Sequence, residues 1–286
     1  MIALTLSILA SSLIFVLFKL FKTYEIDTFQ AIVFNYFAAF FCGITFFGYE
    51  WNDRVLIDLS WLPSVLICSF LFISLFVLMG ISSQNNGIAS TSVAVKMSMA
   101  LSIGAMILIY QETVNLFKIF GILLAIIGVL LVSLEKKDTT KNTSSWMLGI
   151  LFLGSAFLDL TLNISQGFLL GSLTPSLFSA FGFGLAGAFG SFVLVFQYIK
   201  KIRQFSWKHV LAGILLGIPN FFSIYLLLVA YDSANLSDSI VVTIINISVV
   251  CLSTIFGFFL FREKLTTQKW LGILVVVAAI FLISRS

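Results

Sequence analysis

Ten apolar stretches fill nearly the whole of this 286-residue chain, and no polar segment between them is long enough to fold alone. They cover residues 2–21, 28–48, 61–80, 88–109, 116–134, 146–170, 176–198, 208–230, 237–260 and 267–283. Each has about the length of an α-helix that crosses a hydrocarbon layer of about 30 Å. With 60% hydrophobic and 10% charged residues, a water-soluble globule could not cover its own apolar surface. Barrel strands would alternate apolar and polar residues, whereas these stretches are continuous. The expected fold class is therefore all-α transmembrane. Cys42, Cys68 and Cys251 fall inside the stretches with no C-x-x-C spacing, so they read as small core residues and not as a disulfide framework.

One segment returns. Residues 110–133 and 261–284, 151 positions apart, share Glu112/Glu263, Lys118/Lys269, Gly121/Gly272, Ile122/Ile273, Leu123/Leu274, Leu131/Leu282 and Ser133/Ser284. Aliphatic matches are cheap in so apolar a chain. The glutamate with a glycine nine residues later is not, because the chain holds only five glutamates. The offset predicts two tandem units, residues 1–134 and 146–286, joined by a polar linker at 135–145. Each unit then has five helices. An odd count forces the second copy into the bilayer upside down, which gives two inverted five-helix repeats and a solvated site near mid-depth.

Charge sets an orientation. Connections after odd-numbered helices carry Lys19, Lys22, Lys136, Lys137, Lys141, Lys200, Lys201, Arg203, Lys208, Arg262, Lys264 and Lys269; the others and the termini carry Arg54, Lys118 and Arg285. Twelve against three predicts cytoplasmic odd loops and external termini. Tyr24, Trp51, Trp61, Trp146, Trp207 and Trp270 stand at span ends as interfacial anchors.

Polar groups at mid-span are costly in lipid, so they are the candidate site. Lys96 lies about 12 Å inside the fourth span at 1.5 Å per residue. Asp159 in the sixth span differs from it in depth by about 6 Å, which a lysine side chain can bridge. Asp159 shares one helical face with Ser155, Asn163 and Gln166, and the ninth span carries Ser239, Thr243, Asn246, Ser253 and Gly257. Asn35, Asn220 and Tyr225 complete the candidates, with Pro219 expected to free backbone carbonyls in the eighth span. The competing reading is helix-to-helix glue, which suits the single hydroxyls best. The small residues Gly182, Gly184, Ala186, Gly187, Ala188 and Gly190 read as a close-packing face. The run from Lys200 to Arg203 reads as an orientation signal, with lipid headgroup contact as the weaker option.

A lone histidine, His209, allows no histidine-based metal site, and no Walker loop or G-x-S-x-G elbow is present. No cofactor, no enzymatic activity and no nucleic-acid partner are expected. The net charge of +4 comes from loop lysines and arginines.

The E-x8-G segments at Glu112/Gly121 and Glu263/Gly272 resemble the repeat ends of the drug/metabolite transporter superfamily, EamA-type. Gly128 matches a later glycine of that pattern, and Ala279 departs from it. The stretch from Ser11 to Lys19 is similar to the family's W-G-x-x-f-x-x-x-K, with serines in place of Trp-Gly. The resemblance implies a multi-pass inner-membrane permease, monomeric or homodimeric. It would export or exchange a small organic solute (an amino acid, a metabolite or a drug) by alternating access, with proton or counter-solute coupling. The first span lacks the glutamate that couples protons in smaller relatives, which leaves Asp159 for that role. The resemblance also implies cytoplasmic termini, against the charge count. An uncoupled channel-like facilitator or a lipid flippase of the same fold is the alternative. Glu112 and Glu263, beside helix N-termini, are assigned to architecture.

Overall fold

The computed structural model describes residues 2–51, 55, 59–110, 116–133, 145–165, 173–233 and 238–284. Ten α-helices appear among them: α1 Ile2–Thr23, α2 Thr28–Phe47, α3 Leu62–Asn85, α4 Ile88–Tyr110, α5 Leu116–Ser133, α6 Ser145–Ile164, α7 Pro175–Ile199, α8 Trp207–Ser233, α9 Asp238–Phe261 and α10 Thr267–Ser284. A single 3-10 turn, Gly48–Glu50, follows α2. Eight of the helices are long and apolar enough to cross a membrane. The other two, α5 and α10, have 18 residues each, or about 27 Å of helix, which is close to the hydrocarbon thickness. Every predicted span has its helix, and the chain is an all-α transmembrane protein. Gln166, Glu112 and the linker residues 135–144 lie outside the described residues.

The helix ends follow local chemistry. Asp27 caps α2 by accepting from the Gln30 N–H at 3.0 Å, and Thr174 caps α7 ahead of Pro175. Glu25 and Lys201, both in the left-handed region (φ 52° and 54°), close α1 and α7. In each case the next N–H reaches back five residues: Ile26 to Phe21 O at 2.8 Å, and Ile202 to Gln197 O at 2.9 Å. Through Pro219 the helix α8 runs unbroken, so the backbone there is not the interrupted helix that the proline suggested.

The chain divides into two compact units, and neither follows the sequence halves. Unit 1 is Met1–Leu20, Leu78–Leu160 and Ser223–Ser286; unit 2 is Phe21–Val77 and Thr161–Phe222. In unit 1 the two E-x8-G helices pack on each other. A Cβ added to Gly121 would stand 3.1 Å from Ala279 O, one on Gly128 would stand 3.2 Å from Gly272 O, and one on Gly272 would stand 3.1 Å from Gly128 O. Contacts climb α5 as they descend α10, so the helices run antiparallel. Offset by 151, the Gly121–Ala279 contact becomes the Gly272–Gly128 contact. Around this crossing a core gathers Val93, Met97 and Ala100 of α4, Val129 of α5, Val250 of α9 and Val276 of α10.

Unit 2 repeats the device with α2 and α7. Gly184, Gly187 and Gly190 meet Phe40, Phe37 and Val33 in descending order, again antiparallel. Without a hydrophobic drive between helices in lipid, such close approach is what holds them together. Helix α8 crosses α2 tightly as well: a Cβ on Gly213 would run into Ala31 O, and one on Gly217 would stand 2.7 Å from Asn35 O. Tyr36, almost wholly buried, lies between the rings of Phe76 and Phe183, with centroids at 5.5 and 5.9 Å.

Glu263 departs from the simplest expectation. It stands four residues before α10 but serves the N-terminus of α4: the Ile88 N–H donates to its two carboxylate oxygens at 3.0 and 3.1 Å. The same carboxylate pairs with Lys19 of α1 at 3.0 Å, and Lys19 also donates to Gln84 O at 3.3 Å. Gly87 (φ 95°) lets the chain turn into α4 against the carboxylate, where a Cβ would stand 2.7 Å from Oε2. The glutamate is architectural, but it fastens three separate elements.

Candidate functional site

Lys96 and Asp159 are carried into unit 1 by α4, near its middle, and by α6, five residues before its end at Ile164. Both are partly exposed, and they are close enough for each to act on the other electrostatically. Next to them Ser98 Oγ lies 2.9 Å from Asp159 Oδ2 and 2.6 Å from Val95 O. A hydroxyl has one proton, so Ser98 donates either to the carboxylate or to its own helix, and the carboxylate can gain or lose this bond without any backbone movement. From α9, buried Asn246 donates to Met99 Sδ at 3.0 Å. Thioether sulfur is a weak acceptor, so most of the hydrogen-bonding capacity of that amide is left for another partner.

Two of the predicted residues, Lys96 and Asp159, therefore act on each other, and a third, Asn246, reaches the same stretch of α4 at Met99. Tyr225, half-buried on α8, is also in unit 1. Asn35, Asn163 and Asn220 belong to unit 2. Asn35 is wholly buried, and neither end of its amide has a partner among the described residues. Asn220 is buried as well, whereas Asn163 is exposed. Along α6 the predicted polar face runs from buried Ser155 through partly exposed Asp159 to exposed Asn163. On α9, Asn246 and Ser253 are buried; the side chains of Ser239 and Thr243 lie outside the described residues.

Ser98 was not legible beforehand. Serines are frequent in helices as internal donors, and Ser98 is two residues from Lys96, on a different face. Only the approach of α6 gives it a role. No group of three or more His, Cys, Asp or Glu side chains suited to a metal ion occurs among the described residues.

Residues 145–285 match the EamA-like transporter family. Over 287 aligned residues the chain is 31% identical to an uncharacterised protein of Haemophilus influenzae, covering 96% of this chain and 94% of that protein. The first-half repeat end thus sits in a chain whose second half carries the family pattern, on a fold of ten helices with no strand among the described residues. The protein belongs to the EamA-like transporter family, within the drug/metabolite transporter superfamily.

Proposed function

We propose that this multi-pass permease is an inner-membrane secondary carrier that exports or exchanges a small polar or amphipathic organic solute by alternating access. The observation that carries this reading is the Lys96–Asp159 pair. It is a cation and an anion inside two membrane helices, both partly exposed, on a stretch of α4 that the Asn246 amide reaches at Met99. Charges in lipid are retained at a cost of several kcal/mol each, about 3 on insertion scales, unless they do something. Here the ammonium and the carboxylate offer opposite charges to one solute, and Ser98 adjusts the carboxylate. Asp159 is also the group we assign to proton or counter-solute coupling.

Alternating access calls for two inverted copies. The antiparallel packing of α5 on α10, and of α2 on α7, supports this, since each pair joins the same-numbered helix of the two sequence units. On this reading the two sequence units, 1–134 and 146–286, are the repeats, and their helices interleave in both compact units. A reporter in the 135–145 linker and one at the C-terminus should then report opposite faces of the membrane; finding both on one face removes the inversion.

The functional test begins with a thermal-shift screen of the purified protein against a metabolite library, because a ligand bound to the folded state raises its melting temperature. A solute that shifts the protein is then taken into proteoliposomes for counterflow. Trans-acceleration supports a carrier. Uptake without it selects the channel-like facilitator, and lipid scrambling in place of solute uptake selects the flippase.

A further inference from the structure

We propose that the α7–α8 turn of unit 2 is a binding surface for the headgroup of an anionic phospholipid. The sequence places Lys200, Lys201, Arg203 and Lys208 within nine residues. The structure divides them into two jobs. Arg203 is turned inward: it pairs with the Asp27 carboxylate and lies over the Phe29 ring at 5.4 Å. The Asp27 N–H donates to His209 Nδ1 at 3.2 Å, Gln30 Nε2 donates to Gln204 O at 3.1 Å, and the Tyr198 hydroxyl donates to Gln30 Oε1 at 2.8 Å. The turn is therefore pinned to the start of α2, and Asp27 is already engaged by Arg203.

The three lysines are left on the outside. Lys200, Lys201 and Lys208 are exposed, and none forms an ion pair among the described residues. Lys200 Nζ is held 4.3 Å above the Phe196 ring, and Lys201 is fixed in the left-handed conformation that closes α7. Beside and between them stand Ile199, Ile202, Phe205 and Trp207, each more than half exposed. Phe205 and Trp207 meet edge to face at 5.4 Å. Three cations on a rigid turn, interleaved with apolar and aromatic side chains at a span end, fit a phosphodiester with acyl chains below it. The charge bias of the sequence puts this turn on the cytoplasmic face, where anionic lipids concentrate.

The test uses purified full-length protein with phosphatidylglycerol and phosphatidylcholine supplied together, and native mass spectrometry to count retained lipids. Wild type should retain phosphatidylglycerol in preference, and the preference should weaken with salt. The triple variant K200Q/K201Q/K208Q should melt with the wild type and lose the preference by roughly tenfold or more, since each interfacial lysine contributes about fivefold. R203Q should melt lower and keep the preference. The proposal is overturned if wild type shows no preference, if the folded triple variant keeps it, or if only R203Q loses it. Displacement of the lipid by inorganic phosphate would also overturn it, by identifying a free-anion site.

Discussion

Two lysine–carboxylate pairs in unit 1 are built from the same chemistry and are left in different states. At the helix ends, Lys19 and Glu263 are in direct contact at 3.0 Å, and backbone groups add to the joint: Ile88 N–H on the acid, Gln84 O on the base. Within α4 and α6, Lys96 and Asp159 act on each other through space, and the Asp159 carboxylate is met by a movable hydroxyl, that of Ser98. Among the described residues no ion pair as short as the first joins Lys96 to a carboxylate. A pair in direct contact, reinforced by backbone groups, holds elements together. A pair that acts through space, where charge is expensive, is suited to receive a third party.

That contrast is broken most directly at Glu263. Glu263→Ala leaves the Ile88 N–H without its acceptor and the Lys19 ammonium with Gln84 O but no carboxylate; the Lys19 and Glu263 side chains are only 19% and 13% exposed. A loss of about 3 kcal/mol is expected, at the low end for a broken buried pair, and appears as a lowered melting temperature in detergent. Lys19→Ala, which leaves the helix cap in place, should cost less. If Glu263→Ala melts with the wild type, the staple contributes nothing.

The next effect is at the crossing of α5 and α10. Gly128→Leu drives a side chain against the Gly272 carbonyl and Val276, and should cost about 2 kcal/mol. Gly149, where an added Cβ meets no other side chain or helix within 4 Å among the described residues, is the control: Gly149→Ala should be neutral or slightly stabilising. Equal melting of the Gly128 and Gly149 variants would contradict the close packing.

Stability should respond least at the Lys96–Asp159 pair. Lys96→Met and Asp159→Asn are each expected to change stability by about 1 kcal/mol or less, since each removes a costly charge and the partner left behind is partly exposed. Transport should fall at least tenfold in both, on the order of a 1.4 kcal/mol loss or more. Ser98→Ala, which deletes only the movable donor, should show a smaller fall. Were the Lys96 and Asp159 variants to unfold the protein as Glu263→Ala does, the two pairs would be one kind of device.

The sequence made the helices plain because lipid imposes long apolar runs, and it made Lys96 and Asp159 plain because their cost stands out. Partners were another matter. Glu263 is 175 residues from Ile88 and 244 from Lys19, and nothing in E-x8-G says which helix its carboxylate caps. The recurrence of E-x8-G suggested which helices correspond but not that α5 would lie directly on α10. That pairing depends on Gly121, Gly128 and Gly272 meeting backbone, which is a tertiary event. Pro219 is a milder case: proline has no N–H to give, yet a membrane helix can carry it, and α8 stays continuous.

The central claim is that the Lys96–Asp159 pair receives the transported solute. Counterflow in proteoliposomes tests it most directly, with a solute first found by thermal shift and with wild type beside Asp159→Asn. The account predicts a transient overshoot of labelled solute for wild type and a flat trace for the variant, with matching melting curves without solute and a ligand-induced shift for wild type alone. An equal overshoot from Asp159→Asn would contradict it.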